Sequence, residues 1–174
     1  VERVADYRAQ QWYLDTARVA EAWDITRGVP GIRIAILDDG VDVFHAEFSG
    51  KVVEQYDFES DTADGTPKTT ADKHGTACAG VATAKGVKAF GSAPQCSLMA
   101  IRTPNQLGLA DEGKMFEWAA DHKADIISCS WGPADGTGSR DPLPSATALA
   151  ISSDGSSRRA SAASAIAASF RPAA

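Results

Sequence analysis

The stretch Ile32-Arg33-Ile34-Ala35-Ile36-Leu37-Asp38-Asp39-Gly40 constrains this chain more than any other. An apolar, β-branched-rich run that stops abruptly at two carboxylates and a glycine reads as a buried strand with Asp38 and Asp39 at its carboxyl end. In an open α/β sheet that end is where ligands and catalytic groups collect. A second stretch, His74-Gly75-Thr76-Ala77-Cys78-Ala79-Gly80, sets a histidine just ahead of small residues that can form a tightly packed helix. An aspartate and a histidine placed this way invite a triad reading.

The rest of the chain supports a sheet around that strand. Gln10-Gln11-Trp12-Tyr13-Leu14 is an apolar anchor after a polar start, and Asp15 or Thr16 can cap a helix in which Val19, Ala20 and Trp23 share one face. Gly28 to Gly31, with Pro30, ends that helix and turns the chain into the central strand. Val41 to Phe48 reads as a turn, Lys51 to Phe58 as a strand, and Glu59 to Lys73, rich in Asp, Thr and Gly, as a solvated loop. Gly75 to Ala84 suits a helix lying close to the sheet, and Ser97 to Thr103 is a buried strand. Met115, Trp118, Ala119 and His122 recur at helical spacing, with Asp111 and Glu112 at the positive end of that helix, and Ile126 to Ser130 follows as strand. Strand, helix, strand with short connections implies parallel pairing and right-handed crossovers. The fold expected is α/β: a layered parallel sheet with helices on both faces.

Beyond Gly132 the character changes. Pro142 and Pro144 restrict a loop, and Ser145 to Ile151 reads as the start of a helix. From Ser152 to Ala174, Ser and Ala supply 15 of 23 residues, too little apolar surface to offset ordering entropy, so 152–174 is expected to be disordered, loosely helical or a non-native tail on a domain spanning 1–151. The net charge of −6 argues against a nucleic-acid partner, because phosphate binders normally show a basic face. No apolar run is long enough to suggest a membrane span, and no charged-then-apolar stretch of the kind that marks a signal peptide is visible from Val1 onward, as expected if a leader has been removed or is not included. Cys78, Cys96 and Cys129 stand in no metal-binding spacing and read as buried free thiols.

The Asp38 and His74 motifs, followed by Ala124-Asp125-Ile126-Ile127-Ser128-Cys129-Ser130-Trp131-Gly132-Pro133, resemble in type and order the subtilisin-like serine proteases, the subtilases. The Asp-Asp-Gly turn, Cys78 within the histidine motif, the Ser-Trp-Gly-Pro ending and the Gln-Trp-Tyr-Leu opening are most similar to the kexin and furin branch and its bacterial relatives. The resemblance covers roughly residues 11 to 151 and implies a subtilisin-like fold, incomplete here, acting on peptide or protein substrates, with a secreted or extracytoplasmic location. It implies Asp38 as orienter and His74 as general base, because a serine hydroxyl needs a histidine to take its proton and a carboxylate to hold the ring. The family's oxyanion asparagine and its Gly-Thr-Ser nucleophile motif follow the Ser-Trp-Gly segment. Here the one asparagine, Asn105, precedes it and no Gly-Thr-Ser occurs, so the chain looks like the N-terminal half of a catalytic domain, inactive as it stands.

The resemblance also implies that Ser130, Trp131 and Gly132 pair with substrate as an added strand, and that Asp39 faces the subsite next to the cleavage residue; alternatively, Asp39 simply suits a tight turn before glycine. Calcium is the implied ion. Asp57, Asp61 and Asp64 offer oxygen ligands in one loop, and Asp6 with Glu47 offer others, although Lys85 to Gly91 looks shorter than the subtilisin calcium loop and lacks its asparagines. A solvated acidic loop is the alternative for the Asp57 group. Two rival functions remain at this stage. Asp38, Asp39, Asp42, His45 and His74 can be read as a metal-dependent phosphoesterase cluster, and the chain can be read as a catalytically dead binding module. The sequence leaves the oligomeric state open.

Overall fold

The computed structural model describes residues 7–106, 109–130, 147–151 and 157–161. Two short helices, α1 (Trp12–Thr16) and α2 (Val19–Trp23), precede strand β1 (Arg33–Asp38) and, past a turn of 3₁₀ helix at Ala46–Phe48, β2 (Val52–Asp57). Helix α3 (His74–Thr83), β3 (Ser97–Arg102), α4 (Leu109–Asp121) and β4 (Ile126–Cys129) follow, then β5 (Thr147–Ile151) and β6 (Ser157–Ser161). The sheet order is β2-β3-β1-β4-β5-β6. Strands β2, β3, β1 and β4 are parallel.

Alternation along the strands sorts the core into two layers, because successive side chains leave a strand on opposite faces. Ile34, Ile36, Leu98, Ala100 and Ile126 gather with Ala79 of α3, while Ala35, Leu37, Met99, Ile101, Ile127 and Cys129 gather with Met115 and Ala119 of α4. Helices therefore cover both faces, and β1 and β3 are apolar between their end residues because both of their sides are buried. The layered α/β arrangement expected from the sequence is the one observed. No helix among the described residues is long and apolar enough to cross a membrane.

Three local expectations need correction. Neither Asp15 nor Thr16 caps α2. Arg18, in the left-handed region at φ 55°, breaks the segment, and no side chain caps α2. Asp15 is instead engaged by Arg8, and the Thr16 hydroxyl donates back to the Trp12 carbonyl at 3.2 Å. Residues 147–151 form a strand rather than a helix, pairing antiparallel with β4, and 157–161 pair antiparallel with β5. The pairing satisfies backbone groups along the outer edge of β4, which composition alone does not anticipate. Thus the tail is ordered at 157–161; the rest of 152–174 lies outside the described residues.

Candidate active site

Asp38 ends β1, and its backbone is fixed by the neighbouring strand: its carbonyl accepts from the Thr103 amide at 2.8 Å and the Thr103 hydroxyl at 3.2 Å. The side chain lies on the α3 side of the sheet, 5% exposed, with Oδ1 accepting from the Asp39 amide at 2.9 Å. His74 opens α3 and places its Nδ1 2.8 Å from Oδ1 and 2.9 Å from Oδ2 of Asp38. An ionised carboxylate can only accept, so Nδ1 carries the proton and Nε2 is left as the basic nitrogen. The hydrogen bond to Asp38, followed by the charge of Asp38, raises the His74 pKa above its ordinary value, because both favour the imidazolium. The ring remains 57% exposed.

Each position of the histidine motif has a local reason. Asp39 reaches across to α3 and accepts from the His74 amide at 3.0 Å and the Gly75 amide at 2.7 Å, meeting two N–H groups that the first turn of a helix leaves without intrahelical partners. Its negative charge also suits the positive end of the helix dipole. The strand end therefore aligns the helix that carries the histidine. Gly75 sits against that turn. A Cβ there would lie 2.4 Å from the Gly40 carbonyl oxygen and 2.8 Å from Asp38 Cβ, leaving no room for any other residue without movement. The Thr76 hydroxyl accepts from the Asp42 amide at 2.9 Å, and Ala79, fully buried, lets α3 approach the sheet. Gly40 has φ 112° and faces the backbone of Thr66 and Pro67, so the turn after the aspartates requires glycine twice over, for conformation and for space.

Cys78, one turn along α3, places its Sγ 3.7 Å from His74 Nδ1 and 3.8 Å from Nε2. Burial raises its thiol pKa, against the lowering effect of a hydrogen bond with Ser130. The pairing of Leu37 with Cys129 sets the end of β4 beside Asp38. Trp131 and Gly132 lie outside the described residues. Cys96 and Cys129 are buried, and all three thiols are free.

The acidic residues suggested as calcium ligands do not converge. Asp57 is fully buried at the end of β2 and accepts from the Glu59 amide at 2.9 Å, the Ser60 hydroxyl at 2.8 Å and Arg102 Nη1 at 3.2 Å. Asp61 accepts from the Tyr56 hydroxyl. Asp64 is paired with Lys68 at 2.7 Å and with Thr66, and these hydrogen bonds hold its pKa at about 2. Asp6 lies outside the described residues. Glu47, 4% exposed, spends its carboxylate on the chain itself: Oε2 accepts from the amides of Gly86 and Val87, Oε1 from those of Lys88 and Ala89. A hard cation needs carbonyl and carboxylate oxygens pointing inward, whereas this loop presents N–H groups. The carboxylates of Glu47, Asp57, Asp61 and Asp64, each engaged by protein donors, therefore do not form a calcium site with one another. The five-residue phosphoesterase cluster is not assembled either. His45 Nδ1 accepts from the Glu47 amide at 3.2 Å, and among the described residues only Asp38, His74 and Cys78 bring possible metal-binding atoms together.

Sequence reasoning missed the Glu47 clamp and the anchoring of Asp38 by Thr103. It also missed Arg102, which ends an otherwise buried strand and is 5% exposed while bonded to Asp57. The one signal available for Arg102 was a cation closing the run Ser97–Arg102; Glu47 gave none, because its partners are backbone amides far along the chain.

Comparison with known proteins bears on this geometry. The model of the subtilase family matches residues 30–169. A calcium-dependent protease of Nostoc is 46% identical over 166 residues, 82% of this chain and 25% of that protein. A dibasic-processing endoprotease of Schizosaccharomyces pombe is 32% identical over 138 residues, 75% of this chain and 19% of the relative. Among solved structures, the prenylagaramide maturation protease PagA superposes with a TM-score of 0.51 at 27% identity, covering 66% of this chain and 40% of its own. The chain thus spans about a quarter or less of the length of these curated relatives.

Proposed function

Because the chain belongs to the subtilase family, we propose that it supplies the aspartate and histidine of a serine endopeptidase. The observation that carries this is the Asp38–His74 pair at 2.8 Å with the imidazole still open to solvent. Nε2 takes the proton of a serine hydroxyl as that oxygen attacks the peptide carbonyl. The Nδ1 proton stays on the bond to Asp38, which stabilises the imidazolium, and the proton taken from the serine then passes from Nε2 to the leaving amine. The result is an acyl-enzyme that water hydrolyses by the reverse sequence.

The serine and the oxyanion donor lie outside what these 174 residues offer, since no Gly-Thr-Ser occurs and Asn105 precedes β4. The substrate backbone adds beside the end of β4 at Ser130, Trp131 and Gly132, a mode that uses main-chain groups. The register that pairs Leu37 with Cys129 supports this, since Ser130 follows that pair at the Asp38 end of the sheet. Asp39 caps α3 with its carboxylate, and the dibasic-processing name of the S. pombe relative supports a preference for basic side chains beside it. The Nostoc relative is named for calcium dependence. We place any calcium requirement of this protein outside the described residues.

The test is an active-site serine probe together with hydrolysis of a peptide containing paired basic residues. The 174-residue chain is expected to show neither labelling nor turnover. The protein from the full reading frame is expected to show both, and His74→Ala to abolish turnover. Labelling of the 174-residue chain would overturn the division of the site proposed here, and unimpaired turnover in His74→Ala would overturn the relay.

A further inference from the structure

Helix α3 carries His74 at its first position and runs 10 residues, about 15 Å, to Thr83. Its buried positions Gly75, Ala79 and Thr83 recur every four residues and are all small. Such a shallow ridge lets the helix lie close to the sheet, but it offers few side chains that interlock along the axis. What holds the two ends therefore decides where the helix sits. Asp39 holds the start through the His74 and Gly75 amides. At the other end, no basic residue stands in the last turn of the helix itself. The Val81 and Ala82 carbonyls accept from the Ser92 and Ala93 amides at 2.8 Å, and the Thr83 carbonyl accepts from Nζ of Lys51, on another element. The same Nζ donates to the Pro94 carbonyl at 2.8 Å.

We propose that Lys51 is a positioning residue of the relay, its ammonium pinning the far end of α3 to the sheet so that His74 meets Asp38. Lys51 immediately precedes β2. Its amide donates to the Phe48 carbonyl at 3.1 Å, and its carbonyl accepts from the Leu98 amide of β3 at 2.9 Å. The backbone of Lys51 is thus tied to the sheet while its side chain reaches the helix. Burial pushes its pKa down to about 8, so at pH 7 it is still an ammonium, able to donate to both carbonyls at once. A cation is also the charge that the carbonyl end of a helix favours, as an anion suits the amide end. The sheet grips α3 with opposite charges at opposite ends. Loss of the Lys51 grip lets the helix shift along its axis, and a shift of about 1 Å at His74 is enough to break its 2.8 Å bond to Asp38.

The position of the ring rests on this chain alone, while any effect on turnover rests on the protease reading above; the two are therefore tested separately. In the 174-residue chain, the His74 pKa is followed by NMR titration in the parent, in Lys51→Met, which keeps the apolar stem and removes the donors, and in Lys85→Met. Lys85 is exposed and donates to the Ser49 carbonyl at 2.9 Å, so its loss removes a positive charge near the same end without releasing α3. Circular dichroism checks that each variant is folded. The His74 pKa is expected to fall toward 6.5 in Lys51→Met, because the hydrogen bond to Asp38 that raises it loosens, and not to fall in Lys85→Met. Removing a positive charge would by itself raise the pKa, so a fall reports displacement of the ring rather than lost charge. Lys51→Gln serves if the methionine variant does not fold. In the protein from the full reading frame, Lys51→Met is expected to lower kcat at least about tenfold with KM little changed, the mark of a misplaced reacting group. A His74 pKa that is unchanged or raised in the folded Lys51 variant, or that falls equally in Lys85→Met, overturns the assignment whatever the outcome of the serine-probe experiment.

Discussion

Replacing Glu47 by glutamine tests whether a carboxylate of this chain holds the 85–91 loop. The exchange keeps shape and removes the charge. Oε2 now accepts from Gly86 and Val87, and Oε1 from Lys88 and Ala89, so whichever way the amide is turned its oxygen serves one pair and its NH2 faces the other. Two amide donors then point at a donor inside a side-chain site that is 4% exposed. Each unsatisfied buried donor costs about 1–3 kcal/mol. The retained pair also falls from charge-assisted to neutral strength. Allowing for relaxation of the loop, the expected loss is about 3 kcal/mol, which for a chain of this size lowers Tm by roughly 6–12 °C.

Urea unfolding followed by circular dichroism measures the loss, and hydrogen exchange at 86–89 locates it. Burial works to raise the Glu47 pKa, but the amide hydrogen bonds prevail and hold it below its ordinary 4.5. A depressed carboxylate pKa contributes stability above the unfolded value that is lost as pH falls through the folded one. The glutamine variant should therefore lose less stability than the parent below about pH 4.5. Calcium gives the counter-test. If Glu47 bound calcium, added calcium would raise the parent's Tm and the substitution would remove that rise. Such a result, or a loss under about 0.5 kcal/mol, refutes the clamp.

Two further outcomes concern the relay. The His74 pKa, read by NMR titration, should lie above 6.5 in the parent and fall in Asp38→Asn, because the hydrogen bond and the charge that raise it are weakened or lost; an unchanged value would mean that the pair is not formed in solution. By linkage, the stability contributed by this raised pKa is present below the unfolded value and lost as pH rises through the folded one, so Asp38→Asn should flatten that limb. Gly75→Ala sets a methyl 2.4 Å from the Gly40 carbonyl oxygen and should destabilise by about 1–3 kcal/mol. By pushing α3 away from the turn it should also lower the His74 pKa; full retention of both values would show that the close approach is not required.

Strand β1 was legible in the sequence because a run buried on both faces must be apolar at almost every position, and the abrupt change at Asp38 marks where it meets the surface. Helix α4 was legible from the spacing of Met115 and Ala119, both fully buried. The His-Gly-Thr motif named its own helix start, since a small-residue run after a histidine suits close packing. The break at Arg18 was not legible, because a left-handed arginine leaves no mark in composition. Nor were the strands at 147–151 and 157–161, where backbone pairing prevailed over local preference.

The sequence by itself determined the burial of the central strands and the order in which an aspartate, a histidine and the strand before Ser130 appear, since these depend on neighbours a few residues apart. Tertiary structure decided what each charge does. Asp39 caps a helix 35 residues away, Asp57 pairs with Arg102, and Glu47 grips a loop some forty residues on. The partners in each case are remote in sequence, two of the three sets being backbone amides common to nearly every residue type. Only the closing of the sheet brings them within hydrogen-bond reach and removes the water that would otherwise take their place.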